Sequence, residues 1–112
     1  MKISEVARIL EAKVAAGEEM LDTEVDSAFS SDMMSDVLAF SKDQPVLLTG
    51  LNNPQSVRTA LMMDMDCVIF VRGKYPAPDI INLASQSRIV LLSTAYTMYE
   101  ASGRLYEAGL HR

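Results

Sequence analysis

Apolar residues in the second half of the chain form three short uninterrupted runs, and each run is followed by a segment with helical spacing. The runs cover Val46–Thr49, Asp66–Val71 and Ile89–Leu92, and the helical segments cover Pro54–Met63, Pro78–Gln86 and Ala95–Ala108. Strands that are apolar on both faces are typical of a parallel sheet with helices on both sides. The pattern therefore predicts an α/β fold with a mostly parallel sheet.

The first half of the chain carries weaker patterns of the same two kinds. Helical spacing predicts helices over Ser4–Glu11 and Ser31–Phe40, and short apolar or alternating segments predict strands over Lys13–Ala16 and Glu24–Ser30. Gly109 comes directly after the last predicted helix, where a left-handed residue commonly ends a helix. The whole chain is thus expected to alternate between short strands and helices.

Composition and charge narrow the class of protein. The 112 residues are 49% hydrophobic with a formal net charge of −5, which indicates a globular domain without the clustered lysines and arginines that nucleic acids require. No window reaches the roughly 18 apolar residues of a membrane span, and the N-terminus does not resemble a signal peptide. With no repeat or linker, we expect one cytoplasmic domain over residues 1–112, with neither nucleic acid nor membrane as a partner.

Residues that commonly carry catalysis are scarce. Cys67 is the only cysteine and lies in the most apolar run, so it is predicted to be buried rather than reactive. His111 is the only histidine, and a position one residue from the end suits a general base poorly. The segment TGLNNPQS is neither a Walker loop nor a Gly-x-Gly-x-x-Gly turn. We therefore expect no enzyme activity, no metal and no cofactor.

Polar residues follow all three buried runs, and ligands of open parallel sheets bind outside the carboxyl ends of the strands. The candidate ligand-binding residues at these ends are Thr49, Gly50, Asn52, Asn53, Arg72, Gly73, Ser93 and Thr94. Arg72 suits an anion, and Ser93 or Thr94 is predicted to open a helix whose free N–H groups favour negative charge. The alternative interpretation is purely structural, with Thr94 as a helix N-cap and the glycines in turns.

The segment SAFSSDMMSD, residues 27–36, raises a similar choice. Asp32 and Asp36 are four residues apart and would share one face of a helix. Two carboxylates are too few for a hard cation, which prefers more oxygen ligands. Capping of the helix by Ser31 or Asp32 is the favoured interpretation, because a cap needs no further partner. Asp32 remains a candidate ligand-binding residue.

A surplus of apolar side chains on a small acidic chain predicts a homodimer. The chain has eight methionines, more than one sheet's core requires, and closed two-fold dimers are the commonest oligomers. The expected interface includes Met33 and Met34 and the tyrosines Tyr99 and Tyr106 of the last helix. Gly103 in that helix is expected to mark the close approach of another element.

Several segments together resemble a stand-alone DRTGG domain over nearly the full length of the chain. They are KISEVARILEAKVAAGEE, LDTEV, SDMMSDVL and, most specifically, IVLLSTAYTMYEASGRLYEAGL. The resemblance implies a fold similar to that of the N-terminal domain of HPr kinase/phosphorylase. Similar domains occur within phosphate acetyltransferases and beside CBS domains in regulated inorganic pyrophosphatases. The resemblance therefore implies a regulatory or dimerising module, with a regulated enzyme as a partner.

The motif that names this family is only partly present. It would fall on Asp22–Ala28, where Asp22 is retained, Thr23 replaces the usual arginine, and Asp26-Ser27-Ala28 replaces Thr-Gly-Gly. A ligand role of that arginine or of those glycines therefore stays open. The expected function is a non-catalytic regulatory and dimerisation module that senses a small anionic metabolite or nucleotide. The alternatives are a purely structural interaction module and a small enzyme subunit that needs a partner.

Overall fold

The strands of the computed structural model, which describes residues 1–112, are β1 (Lys13–Ala16), β2 (Ala28–Ser30), β3 (Val46–Thr49), β4 (Cys67–Phe70) and β5 (Val90–Ser93). They form one five-stranded sheet in the spatial order β1-β5-β4-β3-β2. Strands β2 to β5 are parallel to their neighbours, and β1 pairs with β5 in the antiparallel direction. The predicted α/β fold with a mostly parallel sheet is confirmed.

The helices are α1 (Ile3–Ile9), α2 (Met34–Phe40), α3 (Pro54–Met62), α4 (Pro78–Ser87) and α5 (Met98–Glu107), with a single 3-10 turn at Glu18–Met20. Helices α2, α3 and α4 connect successive parallel strands and pack on one face of the sheet. Helices α1 and α5 pack on the other face. None of the helices is long and apolar enough to cross a membrane.

The uninterrupted apolar runs are explained by burial on both faces. Side chains at alternate positions of a strand point to opposite faces, so a sheet covered on both sides needs apolar residues throughout. Val46, Leu48 and Ile69 belong to the core under α1 and α5, whereas Leu47 and Val68 belong to the core under the other three helices. All five are fully buried, and each such side chain contributes about 1.5–3 kcal/mol.

Two helices begin later than predicted, and both differences concern candidate site residues. Helix α2 begins at Met34, and no side chain caps it, so the capping role predicted for Ser31 or Asp32 is wrong. Helix α5 begins at Met98, where Thr97 accepts a hydrogen bond from the Glu100 N–H at 3.2 Å. Neither Ser93 nor Thr94 therefore opens a helix, because a loop separates β5 from α5.

Three further expectations about single segments have mixed outcomes. The strand predicted over Glu24–Ser30 is confined to Ala28–Ser30, because Glu24 makes only an isolated bridge with Lys2. Gly109 has φ +106° and ends α5 as predicted. The expectation for Gly103 is wrong within the chain, since nothing lies within 4 Å of the position that a Cβ would occupy there.

Candidate ligand site at the carboxyl ends of the strands

The turn after β4 places two successive residues in the left-handed region of backbone conformation. Arg72 has φ 61° and Gly73 has φ 72°. The Arg72 N–H donates to the Tyr96 carbonyl and the Gly73 N–H to the Thr94 carbonyl, both at 2.8 Å. These bonds fix the turn against the loop that follows β5. A left-handed backbone costs a side-chain-bearing residue about 1 kcal/mol or more, so arginine is unfavourable at this position for conformation alone.

The guanidinium group of Arg72 lies directly over Gly50, which follows β3. A Cβ built on Gly50 would be only 2.1 Å from Nη2 of Arg72. Gly50 does not have a positive φ, so the backbone conformation does not require glycine here. Glycine is therefore explained by the approach of the arginine. At the ends of β3 and β4, the guanidinium group of Arg72 therefore covers the buried backbone of Gly50.

Asp32, in the loop between β2 and α2, completes this cluster. Its Oδ1 accepts a hydrogen bond of 2.6 Å from the Gly50 N–H and lies 3.5 Å from Oγ1 of Thr49. Its Oδ2 is 3.7 Å from Nη1 of Arg72. Both charged side chains are about half exposed, so their ion pair contributes at most about 1 kcal/mol. Four predicted site residues are thus in contact: Asp32, Thr49, Gly50 and Arg72.

The two asparagines after β3 take different roles. Asn53 is the N-cap of α3, and its side chain accepts a hydrogen bond of 2.8 Å from the Gln55 N–H. Asn52 donates from Nδ2 to the carbonyl of Tyr75 at 3.2 Å, which ties the end of β3 to the segment after β4. The Oδ1 atom of Asn52 is buried and has no hydrogen-bond partner. Such an atom is costly, and Asn52 can therefore accept one more hydrogen bond.

The side chains of Ser93 and Thr94 are both hydrogen-bonded to backbone carbonyls of the chain. The Ser93 hydroxyl donates to the Lys74 carbonyl at 2.6 Å. Thr94 is buried, and its hydroxyl donates to the Leu10 carbonyl at 2.7 Å. Thr94 therefore has no access to a ligand, and Ser93 is only 8% exposed. Of the residues predicted after β5, neither joins the cluster around Arg72.

A small hollow of about 170 Å³ lies on the β5 side of the turn that carries Arg72 and Gly73. It is lined by Glu11, Lys13, Gly73, Tyr75, Ser93 and Ala95. Sequence reasoning missed Glu11, Lys13 and Tyr75. Lys13 is opposite Ser93 because β1 is antiparallel to β5, and no local signal in the sequence reveals that pairing.

Glu11 also acts on a neighbouring tyrosine at this edge. The hydroxyl of Tyr96 donates to Oε2 of Glu11 at 2.5 Å, and this hydrogen bond raises the pKa of Tyr96. The guanidinium of Arg104 stacks 4.2 Å from the centre of the same ring. The tyrosine is therefore held protonated, and it links the turn after α1 to Arg104 of α5 rather than serving as a base.

The opposite end of the sheet is strongly acidic. An open cleft of about 460 Å³ there is lined by Met1, Glu24, Val25, Asp26, Asp43, Pro45, Asp64 and Asp66. Partial burial, with the nearby Asp64 charge, raises the pKa of Asp66. Burial likewise raises the pKa of the Cys67 thiol, and Cys67 is buried as predicted. No group of three His, Cys, Asp or Glu side chains in the chain is arranged to hold a metal ion.

The segment that corresponds to the family's motif lies at this acidic end. Asp22 is exposed and faces Lys2 at 3.8 Å. Asp26 pairs with Arg112 at 3.2 Å, and the hydroxyl of Ser27 accepts a hydrogen bond of 2.9 Å from the same arginine. The segment is therefore at the amino ends of the parallel strands, away from the cluster around Arg72.

The fold and the cluster define an α/β module with a mostly parallel sheet and an arginine at the carboxyl ends of its strands. Residues 5–108 match the model of the DRTGG domain. Because that match covers most of the chain, the protein belongs to the DRTGG domain family. No curated protein sequence matches the chain.

One solved structure supports the same assignment at the level of the fold. The chain is similar to the CBS and DRTGG domains of the regulatory region of Clostridium perfringens pyrophosphatase, complexed with the activator diadenosine tetraphosphate. The TM-score is 0.76 at 16% sequence identity, and the match covers 97% of this chain. The chain spans only 47% of the length of that structure. At this identity the likeness shows a shared fold.

Proposed function

We propose that this DRTGG domain is a non-catalytic regulatory module that binds a small anionic metabolite or nucleotide at the carboxyl ends of its strands. Arg72 and the Gly50 N–H are the central binding groups, with Asn52 and Asp32 around them. Thr49 and Gly73 support the site through the fold, because Thr49 is fully buried and the Gly73 N–H donates to the Thr94 carbonyl. Asn53 and Ser93 support the loops on either side. Thr94 supports the site only through the fold, because it is buried.

The single observation that carries this proposal is the contact between Arg72 and Gly50. Arg72 occupies a left-handed backbone position that disfavours it, and Gly50 leaves room for its guanidinium group. Arg72 does not stabilise the fold, since an asparagine or glycine would suit the left-handed backbone at position 72 better. Gly50 is not required by its own backbone conformation either. Residues that cost stability and converge on one point are characteristic of binding sites.

The surroundings of Arg72 favour a negative ligand. Helices α3 and α4 follow β3 and β4 after short loops and begin on the carboxyl side of the sheet, so their partial positive ends lie at this edge. The chain offers no nucleophile with an adjacent base at this site, and we propose binding without turnover.

The fold neighbour supports a nucleotide within this class of ligands. Its structure contains an activator with several phosphates in a regulatory region that includes a DRTGG domain. By analogy, this chain would report ligand binding to an enzyme partner, as the regulatory region of that pyrophosphatase does for its enzyme. The module is proposed to comprise residues 1–112.

A titration series of anions tests the proposal. Calorimetry and thermal unfolding would be measured with phosphate, pyrophosphate, ATP and diadenosine tetraphosphate, with adenosine as the uncharged control. We expect binding of at least one anion and a rise in the unfolding temperature, because a ligand that binds only the folded state stabilises it. Binding of adenosine alone, or of none of these compounds, would contradict the proposal.

A second candidate function is association with another chain, and exposed apolar side chains favour it. Phe40 is 64% exposed, Met62 70% and Tyr99 91%, which leaves hydrophobic surface on α2, α3 and α5. A homodimer remains the simplest form of this proposal. Of the two methionines predicted at the interface, Met33 is 59% exposed, but Met34 is only 7% exposed and belongs to the core.

The substitution Met33→Asp tests association without disturbing the core. We expect the variant dimer to dissociate at a higher protein concentration than the wild-type dimer, while the monomer loses no stability, because Met33 is the N-cap of α2 and aspartate is favourable at an N-cap. Light scattering from low to high micromolar concentration measures this. A wild-type chain with a monomer mass at every concentration would contradict the dimer.

A further inference from the structure

The carboxylate of Asp32 occupies the position that the best anion-binding groups of the site would otherwise offer to a ligand. One oxygen accepts the Gly50 N–H at 2.6 Å, and the other lies 3.7 Å from the Arg72 guanidinium. A backbone N–H and a guanidinium group that converge on two oxygens of one group recognise a carboxylate or a phosphate. Without a ligand, the carboxylate of Asp32 is that group.

The fold does not need the Asp32 side chain at this position. Helix α2 begins two residues later without any side-chain cap. The loop is anchored by other bonds, since the Ser31 N–H donates to the Leu48 carbonyl at 3.0 Å and the Met33 N–H donates to the Ser31 hydroxyl at 3.0 Å. The side chain of Asp32 can therefore leave Gly50 while the backbone around it keeps its hydrogen bonds.

The exchange of Asp32 for an external anion is also energetically accessible. Asp32 and Arg72 are about half exposed, so water can solvate the carboxylate once it swings away. The exposed ion pair itself is weak, whereas the bond to the Gly50 N–H is short and charge-assisted. A tethered carboxylate is always present at high effective concentration, so it lowers the apparent affinity of every competing anion.

We infer that Asp32 is an internal competitor for the ligand's anionic group, and that binding replaces its carboxylate with a carboxylate or phosphate of the ligand. The inference rests on the proposed function and deepens it, because it specifies which atoms the anion contacts. It also gives the site a threshold, since only ligands that outcompete Asp32 bind.

The test compares two charge-neutralising substitutions in one segment. Asp32→Asn keeps the shape and the acceptor oxygen but removes the charge, and Asp36→Asn removes the same charge four residues further on. The Asp36 side chain makes no hydrogen bond or ion pair with Gly50 or Arg72. Affinities for pyrophosphate and citrate would be measured by calorimetry at fixed ionic strength, so that the two arms distinguish a phosphate from a carboxylate ligand.

We expect Asp32→Asn to bind its preferred anion at least about threefold more tightly than the wild type, as the loss of a competing exposed charge implies. Asp36→Asn is expected to change affinity by less, because it alters only the local field. Equal or weaker binding by Asp32→Asn, when the wild type binds, would overturn the inference but leave the proposed function intact. Absence of pyrophosphate and citrate binding by both the wild type and Asp32→Asn would overturn the inference, and the anion series above then decides the proposed function.

Discussion

The two ends of the sheet have opposite electrostatic character, although the same strands form both. At the amino ends, five carboxylates line one cleft: Glu24, Asp26, Asp43, Asp64 and Asp66. At the carboxyl ends, the guanidinium group of Arg72 lies over Gly50, and α3 and α4 follow β3 and β4 on that side of the sheet. The direction of parallel strands fixes this arrangement, because the connecting helices all start at one end of the sheet and finish at the other.

The difference indicates where this protein can bind an anion. The helix C-termini and the carboxylates at the amino end repel negative charge. Burial, and after it the charge of Asp64, raises the pKa of Asp66, so this end of the sheet disfavours negative charge. At the opposite end, Asp32 is the carboxylate in contact with Gly50 and Arg72, and Glu11 lines the adjoining hollow.

The largest expected effect comes from Arg72→Asn, because it removes the only guanidinium group of the cluster. We expect the affinity for anions to fall at least about tenfold, as for the loss of one charge-assisted contact. Stability should rise by about 0.5–1 kcal/mol, since asparagine tolerates the left-handed backbone better than arginine. Calorimetry and urea unfolding measure the two quantities.

Arg88→Asn is the matched control for this substitution. Arg88 also has a left-handed backbone, with φ 57°, and it ends α4 before β5, at the acidic end of the sheet. The control makes the same change in charge and should give a similar gain in stability without loss of anion binding. Equal losses of binding in both variants would show that only net charge matters.

A smaller effect is expected for Gly50→Ala. The added methyl group would overlap Nη2 of Arg72, and the flexible arginine side chain would move away. Anion affinity should therefore fall severalfold while stability changes little. Gly103→Ala is the control, because it lies in an exposed part of α5 with open space around it and should gain about 1 kcal/mol with unchanged binding. Unaltered binding by Gly50→Ala would exclude the contact with Arg72 as the basis of the site.

The smallest effect is expected at the acidic end. In the folded chain the pKa of Asp66 is raised above its ordinary value of 3.8, so the folded state binds this proton more tightly than the unfolded state. Stability therefore falls as pH rises from that value through the folded-state pKa. Asp66→Asn should be slightly more stable than the wild type at pH 7, with the gain lost near pH 3. Unfolding curves at both pH values, with exposed Asp22→Asn as the control, measure this.

The sequence predicted the buried parts of the fold better than its polar connections. Strand β3 has the predicted bounds, Val46–Thr49, because burial on both faces leaves a continuous apolar run. Helix α2 was predicted to begin three residues too early, since Ser31 and Asp32 look like caps. The side chain of Asp32 bonds instead to Gly50, which is 18 residues away in sequence. Local propensity contains no information about such a contact.

The candidate site was predicted in part for the same reason. The rule that ligands bind at the carboxyl ends of parallel strands correctly brought Arg72 and Gly50 together. It also selected Thr94, which is buried because the loop after β5 turns inward to the Leu10 carbonyl. Lys13 was missed because the strand order, and with it the position of β1 beside β5, cannot be read from short-range patterns.

The most direct test of the central claim is to locate a bound anion on the wild-type chain. Amide chemical shifts would be followed by NMR during titration with pyrophosphate at low ionic strength. We predict the largest shifts at the Gly50 and Gly73 amides, with the amides of Asp64 and Asp66 unchanged. Shifts concentrated at the acidic end, or no shifts at Gly50 when pyrophosphate is bound, would contradict the account.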